Sequence, residues 1–359
     1  MTVSQNKIDV QAKEYYASLE EFSLLCNEMI DKGLSYWVVV LSHELYRFLY
    51  PIEPYANFIP EQPVEFVAGH IKTLVASAKN VLATVHPYAF DLNHFSDIRK
   101  ESDVLGQSTS DLYADMWRNF DSMTLVEESL QLVKRRLPDD VVMKDIQGKD
   151  VLDMGCGSGR YSIALARVGA KSVAGVDWQK RAFEAARIWC EKNNQPVTFR
   201  EGDVLNLPFE SESFDFVFSN GVIHHTHSIQ KGLSEIWRVL RPGKRSFLYI
   251  YAANGIFWKT RNVLREIFKR IPLSYTQRVL DIIGMPSNRF IFCDTWYVPV
   301  ESHTTKKELL GMLDQIGFQY EKIVGHNDFD LDGALEKNIP GAEVMWGDGE
   351  HRYILKKSS

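Results

Sequence analysis

The stretch Lys149–Arg160 constrains the fold of this chain more than any other. It reads Lys-Asp-Val-Leu-Asp-Met-Gly-Cys-Gly-Ser-Gly-Arg, a short apolar strand that runs directly into three alternating glycines. An apolar helical run follows at 161–168. Glycine adopts positive φ easily and leaves no Cβ between the backbone and a ligand. A strand, a glycine turn and a helix in this order predict the nucleotide-binding corner of a doubly wound α/β sheet.

The spacing of the glycines distinguishes between ligands. A dinucleotide fingerprint is G-x-G-x-x-G and holds a pyrophosphate over the helix N-terminus. Here the spacing is G-x-G-x-G, and Arg160 occupies the position of the third fingerprint glycine. An acid, Asp153, precedes the turn, where a carboxylate repels a pyrophosphate but can hold an ammonium group. We therefore expect a ligand with a positive charge near this corner.

This corner resembles the first motif of the class I S-adenosylmethionine-dependent methyltransferases, hydrophobic-hydrophobic-D-x-G-x-G-x-G. The resemblance implies that S-adenosylmethionine is the cofactor and that the motif contacts it through Asp153, Gly155, Cys156, Gly157 and Gly159. Three further motifs follow at the family's spacing, after predicted strands at 172–176, 197–201 and 214–218. They add candidate cofactor-binding residues, namely Asp177, Trp178, Asp203, Val204, Asn220 and Gly221.

The resemblance also implies roles and a topology. Asp177, at the end of the second strand, is placed to accept the ribose hydroxyls, Trp178 to cover the adenine face and Asp203 to meet the adenine amino group. Further strands are predicted at 246–251, 319–324 and 351–356, the last two as an antiparallel edge pair. The expected fold is α/β, a Rossmann-like seven-stranded sheet of order 3-2-1-4-5-7-6. A helical N-terminal region precedes it, and a lid is inserted after strand five.

Composition limits the partners and the compartment. A net charge of −6 and a pI near 6.0 disfavour a nucleic-acid partner, which usually shows as a basic excess. The four cysteines lie far apart without a C-x-x-C pair, as is typical of free thiols in a reducing compartment. The N-terminus lacks the pattern of a signal peptide, and the most apolar stretch, 37–41, is shorter than the ~20 residues that a bilayer requires. We expect a cytoplasmic protein without a membrane span.

An acidic stretch near the C-terminus, Asp328–Gly333, resembles the first half of a calcium-binding loop. The twelfth loop position, which requires a bidentate glutamate, is Ile339. The sequence therefore predicts no metal site.

Residues 1–140 carry none of the methyltransferase motifs and are predicted to be mostly helical. Apolar residues recur at helical spacing in four runs, which are 12–32, 36–50, 64–85 and 123–137. Such a region either caps the substrate cleft or forms a homodimer interface, or it only shields one face of the sheet. Tyr113 and Trp117 either fold over the bound cofactor, as in many relatives, or pack an amphipathic helix. The methyltransferase domain is predicted at 141–359.

The insertion after strand five, 255–304, begins with a basic amphipathic helix. This helix, at 256–271, is typical either of a membrane surface or acidic partner, or of a solvated face above an apolar contact.

The end of the insertion, 292–304, resembles the D-x-[WY]-[YS]-x-P…H pattern of bacterial small-molecule methyltransferases. This resemblance implies a loop in the wall of the substrate cavity, with Asp294, Trp296 and Tyr297 as candidate substrate-binding residues. The alternative is a loop packed down by the two rings, with His303 capping the next helix, at 306–316.

Together these motifs predict an enzyme that transfers a methyl group from S-adenosylmethionine to an O, N or C atom of a small-molecule acceptor by in-line displacement. The residues after strand four, 219–222, lack the [DNS]-P-P-[YF] motif of amino-methylating nucleic-acid enzymes. Two other interpretations stay open: a tRNA or protein methyltransferase that docks through 261–270, and a non-catalytic subunit that binds S-adenosylmethionine.

The candidate general bases are His224, His225 and His303. An imidazole titrates near neutral pH and can take a proton from a hydroxyl or an amine. His224 and His225 follow strand four, whose carboxyl end faces the transferred methyl group in the family that the chain resembles. His224 is favoured and His303 is second; the alternative is that a ring at this turn only bonds the backbone.

Overall fold

The computed structural model describes residues 3–49, 61–85, 130–131, 133–134, 136–285, 289–323, 335 and 337–359. Tyr113, Trp117 and the acidic stretch 328–333 lie outside these residues. The chain divides into two compact units, each built from segments that are distant in sequence. The sheet unit contains 101–252, 299–330 and 350–359, and the helical unit contains 1–100, 253–298 and 331–349.

Within the described residues, the sheet unit carries one seven-stranded sheet. Its strands are β1 Asp150–Met154, β2 Ser172–Asp177, β3 Val197–Glu201, β4 Phe214–Asn220, β5 Leu240–Tyr251, β6 Gln319–Lys322 and β7 Glu350–Lys356. The order β3-β2-β1-β4-β5-β7-β6 confirms the predicted order. β1 to β5 are parallel, and β7 runs antiparallel to β5 and β6.

The central strands form where the sequence stays apolar, because a parallel sheet is covered on both faces. β1 and β4 are buried along most of their length. In β2, a Cβ on Gly175 would lie 2.8 Å from the Phe199 ring and 2.9 Å from Ser162 Oγ, so close packing requires glycine there. β5 begins earlier than predicted, at Leu240, with a register irregularity against β4 near its start.

The helices, in chain order, are α1 Val3–Asp31, α2 Ser35–Leu49, α3 Pro63–Thr84, α4 Arg160–Arg167, α5 Lys180–Lys192, α6 Ile229–Val239, α7 Gly255–Phe268, α8 Leu273–Ile282, α9 Arg289–Tyr297, α10 Lys306–Ile316 and α11 Ala342–Trp346. The helices predicted at 36–50, 64–85, 256–271 and 306–316 are confirmed, and α1 begins nearer the N-terminus than predicted. In the sheet unit, α6 and α10 join one apolar core, and α4 joins another with residues 133–146. No helix in the described ranges combines the length and apolar character needed to cross a bilayer.

The helical unit joins the N-terminal helices to the insertion after β5. α1 packs against α3 and α7, and α7 packs against α9 and α11. Two buried hydroxyl pairs link the segments: Tyr15 Oη lies 2.8 Å from Thr260 Oγ1, and Tyr46 Oη lies 3.0 Å from Thr295 Oγ1. Residues 253–298 therefore pack with the N-terminal helices. The predicted boundary near 140, and the role of the N-terminal region as a cap or homodimer interface, stay predictions.

The prediction of a loop over 292–304 is wrong for its first half, which lies in α9. Phe292 and Trp296, four residues apart, are both buried on one side of this helix. The Trp296 ring stacks on Phe268 with centroids 4.0 Å apart, and the Tyr297 hydroxyl donates to the Ile271 carbonyl at 2.8 Å. The aromatic side chains that suggested a cavity wall thus form the core of the helical unit.

The basic face of α7 is engaged mainly by its own unit. Arg261 is only 4% exposed, and Arg265 donates to the Thr295 carbonyl at 3.1 Å. Arg270 forms an ion pair with Asp31 of α1. The charges that suggested a membrane surface or an acidic partner are therefore largely matched within the protein.

Candidate active site

The glycine turn follows β1 and is held by the neighbouring strand. The N–H groups of Gly155 and Cys156 both donate to the Val176 carbonyl of β2, at 2.8 and 2.9 Å. All three glycines have positive φ, with 77° at Gly155, 51° at Gly157 and 78° at Gly159. A residue with a Cβ is strained in this conformation, so the backbone path requires glycine.

Close packing adds a second requirement for glycine. A Cβ on Gly155 would lie 2.3 Å from Val222 Cγ1, and a Cβ on Gly159 would lie 2.6 Å from Ala186 Cβ. Val222 follows β4, so the turn touches the segment that leads directly to His224 and His225.

Asp177 ends β2 and faces the turn. Its Oδ2 accepts the Gly157 N–H at 2.8 Å, and its Oδ1 accepts the Gln179 N–H at 3.3 Å. The carboxylate is therefore fixed beside the part of the loop that a ligand approaches. The next residue, Trp178, is 36% exposed, which leaves ring surface for a ligand. Contacts of these two residues with ribose and adenine stay predictions.

Asp203 and Val204 lie in the turn after β3, which pairs in parallel with β2. Asp203 Oδ1 accepts the Leu205 N–H at 2.8 Å, and Val204 is nearly buried. Because parallel strands end at one edge of the sheet, this turn and Asp177 lie at the same edge. Their contact with adenine stays a prediction.

Asp153 lies beneath the turn. Its side chain is 2% exposed, and its Oδ2 accepts the Ser162 hydroxyl at 2.6 Å. Burial raises the pKa of Asp153 to about 7, against the opposing effect of the Ser162 hydrogen bond and with a further contribution from the Asp177 carboxylate. This carboxyl group therefore changes its charge near neutral pH.

The end of β4 is tied to β5 and to the segment before β1. The Gly221 N–H donates to the Tyr249 carbonyl at 3.0 Å, and Arg136 Nη1 donates to Asn220 Oδ1 at 3.0 Å. The Tyr249 hydroxyl donates to the Glu350 carboxylate at 2.7 Å. No sequence motif indicated Arg136 or Glu350.

The three candidate bases surround one aromatic ring. The centroid of the Tyr251 ring lies 3.8 Å from that of His224, 5.6 Å from His225 and 6.3 Å from His303. The sequence analysis did not indicate Tyr251. It lies two residues after Tyr249 in β5, so the two side chains lie on the same face of the sheet.

The hydrogen bonds distinguish two of these imidazoles. His225 Nδ1 donates to the Val300 carbonyl at 2.8 Å. His303 Nδ1 donates to the Ala252 carbonyl at 2.8 Å, and its Nε2 lies 2.8 Å from the Glu301 carboxylate. Both ring nitrogens of His303 therefore face acceptors, whereas His225 is held through Nδ1.

The alternative in which His303 caps α10 is wrong. Thr305 is the cap, because its side chain accepts the Glu308 N–H while the Glu308 side chain accepts the Thr305 N–H.

The other predicted substrate residues lie in the helical unit. Trp296 and Tyr297 are buried in its core and Asp294 is half-buried in α9, so their contact with a substrate stays a prediction. Across the described parts of the chain, no His, Cys, Asp or Glu side chains group as metal ligands would.

This fold and this site are those of the class I methyltransferases. The turn leaves no room for a Cβ, a carboxylate is fixed at the end of β2, and a second acid lies beneath the turn. These features fit S-adenosylmethionine. The turn leaves space for its nucleoside beside the backbone, the carboxylate at the end of β2 suits its ribose hydroxyls, and the acid beneath the turn suits its charged tail. Residues 152–248 match a family described as a methyltransferase domain.

Curated relatives agree with this class. The chain is 39% identical over 176 residues to a 2-phytyl-1,4-naphtoquinone methyltransferase of Nostoc punctiforme, covering 48% of this chain and 72% of that protein. It is 28% identical over 257 residues to an O-methyltransferase of Pyrenophora dematioidea, covering 68% of this chain and 86% of that protein. A demethylmenaquinone methyltransferase of Tropheryma whipplei is 29% identical over 229 residues, with coverages of 63% and 85%.

The chain therefore belongs to the class I S-adenosylmethionine-dependent methyltransferases. It is a methyltransferase, and its cofactor is S-adenosylmethionine.

Cofactor affinity is expected to rise with pH between about 6 and 8, by up to about tenfold. Asp153 is mostly neutral below its pKa. Above it, the carboxylate is expected to stabilise the cofactor's ammonium group, as the sequence predicts. Calorimetric titration of S-adenosylhomocysteine across this range checks the expectation, with Asp153→Asn as the control. The ligand's own amino group titrates with both proteins, so the difference between the two profiles isolates Asp153. Equal slopes would assign the pH dependence to the ligand alone.

Proposed function

We propose that the enzyme methylates a small-molecule acceptor at the carboxyl ends of β4 and β5. The observation that carries this proposal is the cluster of His224, His225 and Tyr251, reached from the glycine turn through the contact between Gly155 and Val222. Flat rings and proton-accepting groups gathered beside the cofactor turn suit an aromatic acceptor with an ionisable hydroxyl or amine.

The cofactor supplies a methyl group on a sulfonium sulfur, which is already a strong electrophile. The protein therefore has to orient the acceptor and receive its proton. Orientation alone can contribute ~7–11 kcal/mol to lowering a barrier of this kind.

His225 is the group that receives the proton. A carbonyl only accepts hydrogen bonds, so the contact with Val300 fixes the hydrogen on Nδ1 and leaves the lone pair of the neutral ring on Nε2. His303 suits the role less, because its two nitrogens face the Ala252 carbonyl and the Glu301 carboxylate.

His224, which the sequence analysis favoured as the general base, has a structural role. It is fully buried against Tyr251, whereas His225 retains 7% exposure. His224 therefore packs the Tyr251 ring and supports the loop that carries His225. Its carbonyl also accepts the Ser302 N–H at 2.8 Å, which ties this loop to the segment after the insertion.

Charge supports a small acceptor over a nucleic acid. The chain has a net charge of −6, and Arg261, Arg265 and Arg270 of the proposed docking face are buried or engaged by their own unit. The relatives named above are one O-methyltransferase and two quinone methyltransferases, which also favours a small-molecule acceptor.

An acceptor panel tests the proposal. The purified enzyme is incubated with S-adenosylmethionine and hydroxylated aromatics, with the same rings lacking the hydroxyl as matched controls, and release of S-adenosylhomocysteine is measured. We expect turnover with a subset of the hydroxylated compounds only. Turnover confined to added tRNA or protein would contradict a small-molecule acceptor.

A further inference from the structure

One side of α1 faces solvent although it carries large apolar side chains. Val10 is 54% exposed and Leu24 is 66% exposed. Residues three and four positions apart lie on the same side of a helix. This side, which we call the exposed stripe, consists of Val10, Lys13, Ala17, Glu20 and Leu24, and all five residues are exposed. Apolar side chains exposed along one helix side are typical of a surface that another chain covers.

A groove between α1 and α7 extends the exposed stripe sideways. It has a volume of about 460 Å³, and besides Glu20 and Leu24 of the stripe it is lined by Tyr16, Leu19, Ser23, Lys259, Asn262 and Val263. The Lys259 ammonium lies 4.5 Å from the centre of the Tyr16 ring, so this cation is engaged within the helical unit. The stripe and the groove together form one continuous surface on which a helix can lie.

The charged residues of α1 distinguish the exposed stripe from the rest of the helix. Those outside the stripe each form an ion pair or a hydrogen bond, namely Lys7, Asp9, Glu14, Glu21, Glu28 and Asp31. Within the described residues, Lys13 and Glu20 form neither. The two charges of α1 that the helical unit leaves unmatched therefore lie together on the stripe, and they have opposite signs.

The order of residues along the exposed stripe is self-complementary about Ala17. Val10 and Leu24 each lie seven residues from it, on opposite sides. Lys13 and Glu20 lie four and three residues from it, also on opposite sides. When two such helices run antiparallel about a two-fold axis at Ala17, each Val10 meets the other copy's Leu24. Each Lys13 likewise meets the other copy's Glu20.

We propose that the exposed stripe docks on the same stripe of a second copy of this chain, with the two α1 helices antiparallel. A parallel pair would set Lys13 against Lys13 and Glu20 against Glu20, and like charges facing each other are unfavourable. Val10 of the second copy then lies beside Leu24 and covers the groove. The stripe is only ~21 Å long at the helical rise per residue, so the dimer is weak and dissociates on dilution. This proposal concerns the helical unit and holds whatever the acceptor is.

Charge reversal tests the pairing. The full chain is sedimented over a range of concentrations to obtain the Kd of the dimer. Lys13→Glu and Glu20→Lys each set like charges opposite each other at two places in the dimer, so each is expected to raise this Kd by ~10- to 100-fold. An equimolar mixture of the two variants regains opposite charges at both places. We expect the mixture, and a chain that carries both substitutions, to dimerise like the unsubstituted protein.

The apolar contact is tested with Leu24→Asp, and Ile188→Asp is its matched control. Ile188 is also an exposed apolar residue on a helix, 53% exposed on α5 and outside the stripe. We expect Leu24→Asp to weaken the dimer and Ile188→Asp to leave it unchanged, with the midpoint of thermal unfolding unchanged in both.

Three results would overturn the proposal. They are an unsubstituted chain that sediments as a monomer at every concentration, single charge reversals that leave the dimer intact, and a mixture of the two variants that stays monomeric. No acceptor or cofactor is needed for these measurements, so their outcome is independent of the proposed function.

Discussion

Replacement of His225 by alanine is expected to lower kcat by ~10²–10⁴, the usual contribution of a general base. The variant keeps the glycine turn and Asp177, so its affinity for S-adenosylhomocysteine should stay near that of the unsubstituted enzyme. Steady-state kinetics at saturating acceptor, together with calorimetry, measure the two quantities separately.

Two further variants define what the loss means. His225→Asn keeps an N–H donor for the Val300 carbonyl but has no basic nitrogen, so it should lose as much activity as the alanine variant. His227→Ala removes an exposed imidazole two residues away and should leave kcat unchanged. A loss of less than about threefold in His225→Ala would mean that alignment of the acceptor carries the reaction without a protein base.

Replacement of Asp177 by alanine is expected to raise the Kd for S-adenosylmethionine by about tenfold to 150-fold. This corresponds to the ~1.5–3 kcal/mol of hydrogen bonds to a charged group. The carboxylate also accepts the Gly157 N–H, so its loss releases one anchor of the turn. Calorimetry with both cofactor and demethylated product measures the change.

Asp177→Asn separates the two contributions. The amide oxygen can still accept the Gly157 N–H, while the negative charge that is predicted to accept the ribose hydroxyls is lost. We expect an affinity between those of the alanine variant and the unsubstituted enzyme, with an unchanged midpoint of thermal unfolding. An alanine variant that binds the cofactor normally would remove Asp177 from the site.

The sheet could be predicted because its signals are local. The glycines at 155, 157 and 159 are required both by backbone conformation and by packing, so the turn is visible in a short stretch of sequence. Apolar runs separated by such turns then give the strands, and the family resemblance gives their order.

The long helices of the helical unit could be predicted, but the way they pack together could not, because its contacts join distant segments. Nothing local to Thr260 or Thr295 indicates that their partners are Tyr15 and Tyr46. The aromatic residues of α9 matched a loop pattern, but their spacing of four residues buries them in a helix instead. The residue types there matched the family pattern, but the loop conformation inferred from that pattern was wrong.

The ranking of the histidines shows the same limit at the site. Adjacent histidines have equal signals in the sequence, and only the partners of each ring separate them. The Val300 carbonyl that fixes the tautomer of His225 lies 75 residues away in the chain. The link between Arg136 and the end of β4 is likewise visible only in the structure, through the hydrogen bond to Asn220, 84 residues further along the chain.

The central claim, methyl transfer to a small molecule, is tested most directly with S-adenosylmethionine labelled in its methyl group. The enzyme is incubated with a cell extract that has been separated into small-molecule, RNA and protein fractions, and incorporated label is counted in each. We predict label in the small-molecule fraction, strongly reduced with His225→Ala and with Asp177→Ala at limiting cofactor. Label found only in RNA or protein, or in no fraction, would contradict the account.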